Sequence, residues 1–191
     1  MPTYGLRSIA AGAPYEAGRI GDMEPLEEPW LRGPIAGVHP FLMPVLYAFQ
    51  QAREELARYT EGLSGERIWA APHGFASVGF HIRHMAGSTR RLTAYLLARE
   101  LTEKELAAAG REKEAGATRE ELLADLDAAF GEAEAVVRKL DPGRLAEPRA
   151  VGRKRLPTTA IGLVTHIAEH TQRHTGQAIS AAQWARVAEP R

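Results

Sequence analysis

An apolar residue recurs every three or four positions in four separate segments of the chain. This spacing places the apolar side chains on one face of an α-helix, because a helix completes a turn in about 3.6 residues. The four segments run from near Pro40 to Glu61, from about Pro72 to Glu100, from Thr118 to Leu140 and from Leu156 to Ala185. Four helices that each bury one face predict an all-α protein built as a four-helix bundle.

The first 36 residues lack this period. They contain five of the twelve prolines, and proline disfavours regular helix because it has no backbone N–H donor. We predict an extended N-terminal arm over residues 1–36 that docks on the domain through weakly apolar stretches and Trp30. The bundle is predicted to occupy residues 37–191, which is long enough for one domain with a substantial core.

Polar connections separate the helical segments. Thr-x-x-Glu signatures at residues 102–105 and 118–121 are typical of capping boxes, and the first predicts a short additional helix over residues 102–110. The charged, glycine-containing stretch at residues 110–117 predicts a solvated turn. Residues 144–157 predict a basic loop leading into the last helix, and no strand pattern exceeds a few residues.

The composition removes several kinds of function. The chain has no cysteine, which excludes disulfides, thiolate metal sites and a cysteine nucleophile. Lysine plus arginine equals aspartate plus glutamate at 24 each, which argues against nucleic-acid binding because that relies on phosphate neutralisation. No apolar run approaches the roughly 20 residues of a membrane span, and no signal-peptide pattern opens the chain, so we expect no membrane partner and a cytoplasmic location.

Three histidines at four-residue spacing, His166, His170 and His174, lie in the last helical segment. Successive histidines drift by about 40° around the helix, since four residues advance it by about 400°. Measured from the centre of the apolar face, His174 lies at about 30°, His170 at about 70° and His166 at about 110°. We therefore predict that His170 and His174 face the interior or its edge, where two imidazoles four residues apart can bind one metal ion. His166 faces the flank and lies too far along the helix to join them.

The second helical segment offers a donor to complete that pair. His81 and His84 lie on a stripe beside the apolar seam, together with Ser88, Arg91 and Tyr95. The spacing does not choose between His81 and His84.

Simpler interpretations compete with each of these sites. A single histidine on a helix flank is most often a surface or hydrogen-bonded residue, which is how we interpret His39, His73 and His166. His170 and His174 differ, because two half-buried imidazoles without a metal would repel each other when protonated and leave nitrogens unpaired when neutral.

Other polar patterns favour surface roles. Residues 166–170 spell His-x-x-Glu-His, the inverted zinc-protease motif, but Glu189 is the one acidic residue after them, so the downstream carboxylate ligand of such proteases is a poor fit. The basic run at residues 149–155 is typical of a solvated loop, and Arg91 and Tyr95 suit the edge of a bundle.

Two motifs resemble those of a known family. The run from Ser77 to Ser88, Ser-Val-Gly-Phe-His-Ile-Arg-His-Met-Ala-Gly-Ser, places a hydroxyl residue seven positions before a histidine. Residues 170–177, His-Thr-Gln-Arg-His-Thr-Gly-Gln, join two histidines to a following Gly-Gln. Together they resemble the second-helix and last-helix motifs of the DinB/YfiT-like family of metalloenzymes over about residues 37–186. The arm and three further histidines lie outside the common pattern: His39, His81 and His166.

The resemblance implies a DinB-like four-helix bundle that is commonly dimeric, so we expect a homodimer. It implies that His84, His170 and His174 are the ligands of a divalent metal, usually zinc or nickel, and the choice of His84 over His81 rests on the resemblance alone. Characterised relatives include transferases that use low-molecular-weight thiols such as bacillithiol and mycothiol, and a thiol-dependent maleylpyruvate isomerase.

These features predict a metal-dependent enzyme with a small-molecule substrate. A three-histidine site keeps an open coordination position, which suits activation of a small thiol or water in a thiol S-transferase or hydrolase. We predict a catalytic role for His81, as a proton shuttle or as a contact behind a ligand, and assign Arg91 or the basic loop to hold an anionic substrate. The alternatives are a non-catalytic metal-binding or small-ligand-binding bundle and a metal-free interaction protein.

Overall fold

The computed structural model describes residues 27–187, and residues 1–26 and 188–191 lie outside the described part. The described chain forms six α-helices and one β-hairpin. The helices are α1 (Met43–Tyr59), α2 (Gly65–Trp69), α3 (Val78–Leu96), α4 (Glu103–Gly110), α5 (Arg119–Val137) and α6 (Ala160–Val187), and the strands are β1 (Pro148–Val151) and β2 (Leu156–Thr159). The long helices α1, α3, α5 and α6 form a bundle, so the predicted all-α class is confirmed. None of the helices within residues 27–187 is both long and apolar enough to cross a lipid bilayer.

Local sequence signals determine where the helices begin. Pro44 lies in the first turn of α1, where a missing N–H costs no helical hydrogen bond. The side chains of Thr102 and Thr118 each accept a hydrogen bond from the backbone N–H three residues later, and Glu105 and Glu121 reach back to the capping residues. Both predicted capping boxes are therefore present, and they begin α4 and α5.

Apolar faces of the four long helices make the core. Helix α6 packs against α3 and α1, and α3 also packs against α5. Phe49 of α1 and Phe130 of α5 stack with ring centroids 4.4 Å apart, and both are fully buried. Ile82 and Met85 of α3 are also fully buried, which fixes the face that α3 turns toward the bundle. The adjacent face of α3 therefore lies at the contact between α3 and α6.

The predicted arm falls largely outside the described residues, but its last part, residues 27–36, lies against α1. Arg32 forms an ion pair with Glu54 at 2.7 Å, and the Tyr47 hydroxyl donates to the carbonyl oxygen of Gly33 at 2.8 Å. Pro29 is buried, whereas Trp30 is exposed. Polar contacts and the buried Pro29 therefore hold this part of the arm, whereas the Trp30 indole does not.

The connection before α6 differs from the predicted basic loop. It contains an antiparallel hairpin in which Pro148 is opposite Thr159 and Val151 is opposite Leu156. Each strand has four residues and includes a proline, so the sequence gives little alternation to detect. Arg149 donates to the carbonyl oxygen of Leu96 at 2.7 Å, which ties the hairpin to the end of α3.

Candidate metal centre

Helices α3 and α6 bring histidines from distant parts of the chain together. His81 and His84 lie on α3, and His170 and His174 lie on the facing side of α6. One ring nitrogen from each of His84, His170 and His174 lies within 4.8 Å of the other two. The two Nε2 atoms of His84 and His170 are 3.2 Å apart. The structure therefore brings together the three residues that the resemblance implies as ligands.

Glu112 lies behind His84, and the sequence did not reveal it. The Glu112 carboxylate accepts from His84 Nδ1 at 2.6 Å and from Arg91 Nη1 at 2.6 Å, and the residue is 8% exposed. Burial raises the pKa of Glu112, but hydrogen bonds from His84 and Arg91 outweigh it and leave the pKa lowered. The carboxylate is thus ionised at neutral pH. The prediction that residues 110–117 form a solvated turn is wrong at this position.

Gly87 leaves room for this carboxylate beside α3. A Cβ atom at position 87 would lie 2.6 Å from Glu112 Oε1 and 2.9 Å from Arg91 Nη1. Any side chain here would force the pair to shift. Arg91 pairs with Glu112 and so lies behind the histidines. This position argues against its predicted role in holding a substrate.

Hydrogen bonds assign the tautomers of two histidines. A carboxylate only accepts, so His84 donates from Nδ1 to Glu112, and in neutral His84 the Nε2 atom carries a lone pair. The Ser88 hydroxyl donates its one hydrogen to the carbonyl oxygen of His84 at 2.6 Å. Its 3.3 Å contact with His170 Nδ1 then makes the histidine the donor, which leaves a lone pair on His170 Nε2. When neither Nε2 atom carries a proton, two lone pairs face each other across 3.2 Å, a separation that a shared proton or a cation would satisfy.

His81 lies beside the cluster and outside the three-donor group. Its Nδ1 is 3.0 Å from His174 Nδ1, and the residue is 6% exposed. A hydrogen bond between two ring nitrogens needs one proton, so one of the two residues donates and the other accepts. The structure thus places His81 in contact with His174, and its predicted role as a proton shuttle or as a contact behind a ligand stays a prediction.

Three of these histidines, His81, His170 and His174, are neutral at pH 7. Burial and the neighbouring His84 lower the pKa of His81 to about 4. Burial and nearby positive groups, His84 first, lower the pKa of His170 to about 4, and burial with the adjacent histidines lowers that of His174 to about 3. Metal binding to histidine requires the neutral ring. The donor set, its protonation and the carboxylate behind His84 all fit a divalent cation.

The remaining histidines lie outside the three-donor group, although the ring centroids of His166 and His170 are 5.6 Å apart. The His166 side chain is 45% exposed and lies 3.5 Å from Glu169, which agrees with its predicted place on the flank. His39 accepts from the backbone N–H of Phe41 at 3.3 Å and so caps the turn before α1. His73 is exposed in the connection between α2 and α3.

The fold and the site together define an all-α bundle whose histidine cluster could hold a metal ion between two of its long helices. A family model described as the DinB superfamily matches residues 48–178, which is more than half of the chain. The chain therefore belongs to the DinB superfamily, and the resemblance in its two motifs is confirmed. The matched range includes all three clustered histidines and Glu112. No curated protein matches the chain.

Proposed function

We propose that the protein is a divalent-metal-dependent enzyme in which His84, His170 and His174 bind zinc or nickel. The observation that carries this proposal is the meeting of one ring nitrogen from each of the three histidines within 4.8 Å, with the Nε2 atoms of His84 and His170 3.2 Å apart. Nitrogens this close need a shared proton or a cation between them, and a cation accounts for all three donors at once.

The residues around the ligands have distinct tasks. Glu112 keeps the proton of His84 on Nδ1 and fixes the direction of its ring, as carboxylates behind metal-bound histidines commonly do. Ser88 does the same for His170 through its hydroxyl oxygen. His81 fixes the ring of His174. If His174 donates from Nδ1, the single proton of neutral His81 lies on Nε2, where it can be given to a substrate.

The reaction that this site suits is attack by a small thiol or by water on an electrophilic small molecule. A divalent ion held by three neutral imidazoles retains its full charge and an open position, and supplies the Lewis acidity that makes a thiol or water nucleophilic at neutral pH. The chain has no cysteine, so a thiol would come from a low-molecular-weight cosubstrate. We further propose that the protein acts as a homodimer.

A non-catalytic metal-binding bundle is the second candidate. A structural site is closed by protein ligands, and a closed site here would need a fourth donor. The contact between His81 and His174 favours this candidate, because it places another imidazole next to the cluster.

Metal quantitation of protein purified without a histidine tag tests the first step. We expect one equivalent of zinc or nickel per chain. A screen of the loaded protein with low-molecular-weight thiols and electrophilic acceptors then separates the candidates, because turnover supports the enzyme and tight metal without turnover supports the structural site. Protein that binds neither metal after incubation with each would contradict both.

A further inference from the structure

A pocket of about 490 Å³ opens between the connection that precedes α3 and the last part of α6. This volume is in the range of sites that enclose a small organic molecule. Its apolar wall consists of six residues: Ala70, Pro72, Phe75, Ala76, Ala181 and Trp184. The wall therefore suits an apolar ligand.

Two large aromatic side chains of this wall remain exposed. Phe75 lies in the connection before α3 and Trp184 lies near the end of α6, and each has more than half of its surface open to solvent. Exposed aromatic rings that border a concave surface are typical of ligand sites, because rings can stack on a flat ligand. These two rings favour an aromatic molecule as the occupant.

The pocket touches the candidate metal centre through one residue. His81 lines the pocket, and its Nδ1 contacts His174. Its Nε2 lies on the opposite side of the imidazole ring, and no group within residues 27–187 forms a hydrogen bond with that atom. A ligand in the pocket would therefore lie one imidazole away from the cluster.

We infer that this pocket binds the electrophilic substrate, and that this substrate is a flat aromatic molecule with a carbonyl-type oxygen that accepts a hydrogen bond from His81 Nε2. The inference rests on the proposed function, because it takes the cluster to be the reaction centre. His81 is then the residue that joins the substrate to the metal centre. Gln177 and Arg173 at the rim give the ligand polar contacts on its solvent side.

Acetophenone is a suitable probe because it has an aromatic ring and one carbonyl oxygen. Titration of the full chain, followed by the backbone amide signals in NMR, is expected to shift residues 70–76 and 173–184 and to leave α4 and α5 unchanged. The same titration of metal-free protein should give the same map, because none of the three candidate ligands lines the pocket.

Gly176→Leu fills the pocket without disturbing the helix. Gly176 lines the pocket, and a Cβ atom there meets nothing within 4 Å. Leucine also has the higher helix propensity, so the variant should fold at least as well. We expect acetophenone affinity to fall by about tenfold or more. Gly131→Leu is the matched control, because Gly131 is an exposed glycine within α5 with similar free space and should bind the probe normally.

His81→Phe tests the hydrogen bond from His81 Nε2 to the ligand separately from the apolar wall of the pocket. The ring remains and the donor is lost, so acetophenone should bind about fivefold more weakly, the effect of one neutral hydrogen bond. Toluene, which has no acceptor, should bind to the variant as well as it binds to the natural chain.

Metal content is measured in every sample, so that failure of the pocket proposal can be distinguished from failure of the proposed metal centre. Localised acetophenone binding in protein that never takes up metal would overturn the metal centre and leave the pocket as a ligand site. Full metal content with scattered shifts, or with unchanged affinity in Gly176→Leu, would overturn the pocket. A change in molecular mass of the Gly176→Leu variant, together with no probe binding to the natural chain, would show that a second copy occupies this surface and would also overturn it.

Discussion

The contact between α1 and α5 and the contact between α3 and α6 lie in the same bundle but bury different chemistry. Phe49 and Phe130 stack in the first, fully buried and without polar partners to satisfy. The second buries His81 and partly buries three more imidazoles, whose nitrogens face each other at 3.0 and 3.2 Å. The first contact stabilises the fold through apolar burial. The second places polar nitrogens inside the bundle, where burial is a cost that hydrogen-bond partners or a cation must offset.

The difference explains how the helix pair α3 and α6 can tolerate a polar cluster. Ile82 and Met85 on α3 and Ile167 on α6 continue the apolar core beside the histidines, so each helix has one apolar face and one polar face. The bundle holds the polar faces together through the packing of the apolar ones. Metal binding and global stability should therefore respond to different substitutions.

The largest effect is expected for His170→Ala. Removal of one of three ligands should abolish stoichiometric zinc or nickel binding, whereas the free energy of unfolding of the metal-free protein should change little, because a half-buried polar ring is lost and the apolar core stays intact. Metal analysis after dialysis and urea unfolding measure the two quantities. Tight metal in this variant would contradict the ligand assignment, and a large loss of metal-free stability would contradict the division between the two contacts.

Phe130→Ala should have the opposite profile. Truncation of a fully buried ring leaves a cavity and should lower the free energy of unfolding by about 3–5 kcal/mol, while the folded fraction keeps its metal. Phe41→Ala is the control, because Phe41 is exposed and its loss should cost little. Equal effects of the two substitutions in urea unfolding would show that the aromatic stack does not carry the stability we assign to it.

Glu112→Gln should weaken metal binding and leave the ligands in place. The amide cannot hold the proton of His84 as a carboxylate does, so we expect affinity to fall by about 10–100-fold in a competition titration with a chromophoric chelator. Glu105→Gln provides the comparison, since Glu105 caps α4 and pairs with Arg99. If both variants bind metal equally well, Glu112 has no role behind His84.

The pH dependence should distinguish the two contacts without any substitution. The pKa values of His81, His170 and His174 in the native state are about 4, 4 and 3, below the usual 6.5. As pH falls below about 6.5 the unfolded chain binds protons that the native chain does not, so the free energy of unfolding of the metal-free protein should fall between about pH 6.5 and 4. Above about pH 6.5 these residues should contribute no slope.

Comparison with a variant can show which residues cause this pH dependence of the free energy of unfolding. Chemical denaturation of metal-free His174→Ala across this range should give a shallower dependence than the natural chain. Glu105 contributes in a lower window, because Arg99 and the capping hydrogen bonds lower its pKa to about 2 and its stabilisation is lost as pH falls from about 4.5 to 2. An equal slope in the variant would show that the histidines do not cause the dependence.

The smallest effect is expected at a helix end remote from the histidines. Thr118→Ala removes the hydroxyl that caps α5 and should lower the free energy of unfolding by about 1 kcal/mol, with metal affinity unchanged. Thr118→Ser retains the cap and should restore most of the loss in thermal unfolding. A change in metal affinity would mean that α5 is coupled to the histidine contact.

Much of this architecture follows from local patterns in the sequence. The three-and-four spacing of apolar residues predicts the long helices, and the capping signatures at residues 102–105 and 118–121 predict where two helices begin. The angles around α6 indicate His170 and His174 because a helix has a fixed geometry. Periodicity leaves the choice between His81 and His84 open, since both lie on the same stripe of α3, and only the family motif selects His84.

Other parts depend on contacts that no local pattern contains. Glu112 follows a short helix in a charged stretch, and its burial results from the close approach of that stretch to α3 at Gly87. The charge of Glu112 alone would predict that its side chain is exposed to solvent. The hairpin over residues 148–159 is equally hidden, because its strands are short and are supported by α3. The pocket beside His81 requires the packing of α6 against a connection with no regular pattern.

Gly87 gives the chain a position at which the proposed metal site can be weakened while every histidine remains in the sequence. A methyl group in place of its hydrogen would lie 2.6 Å from Glu112 Oε1, so the carboxylate that accepts from His84 and Arg91 would have to shift. A related sequence with all three histidines but a larger residue here would keep the three donors and hold the His84 ring less firmly. Comparisons within the superfamily should therefore consider the residue three positions after the α3 histidine together with the histidines themselves.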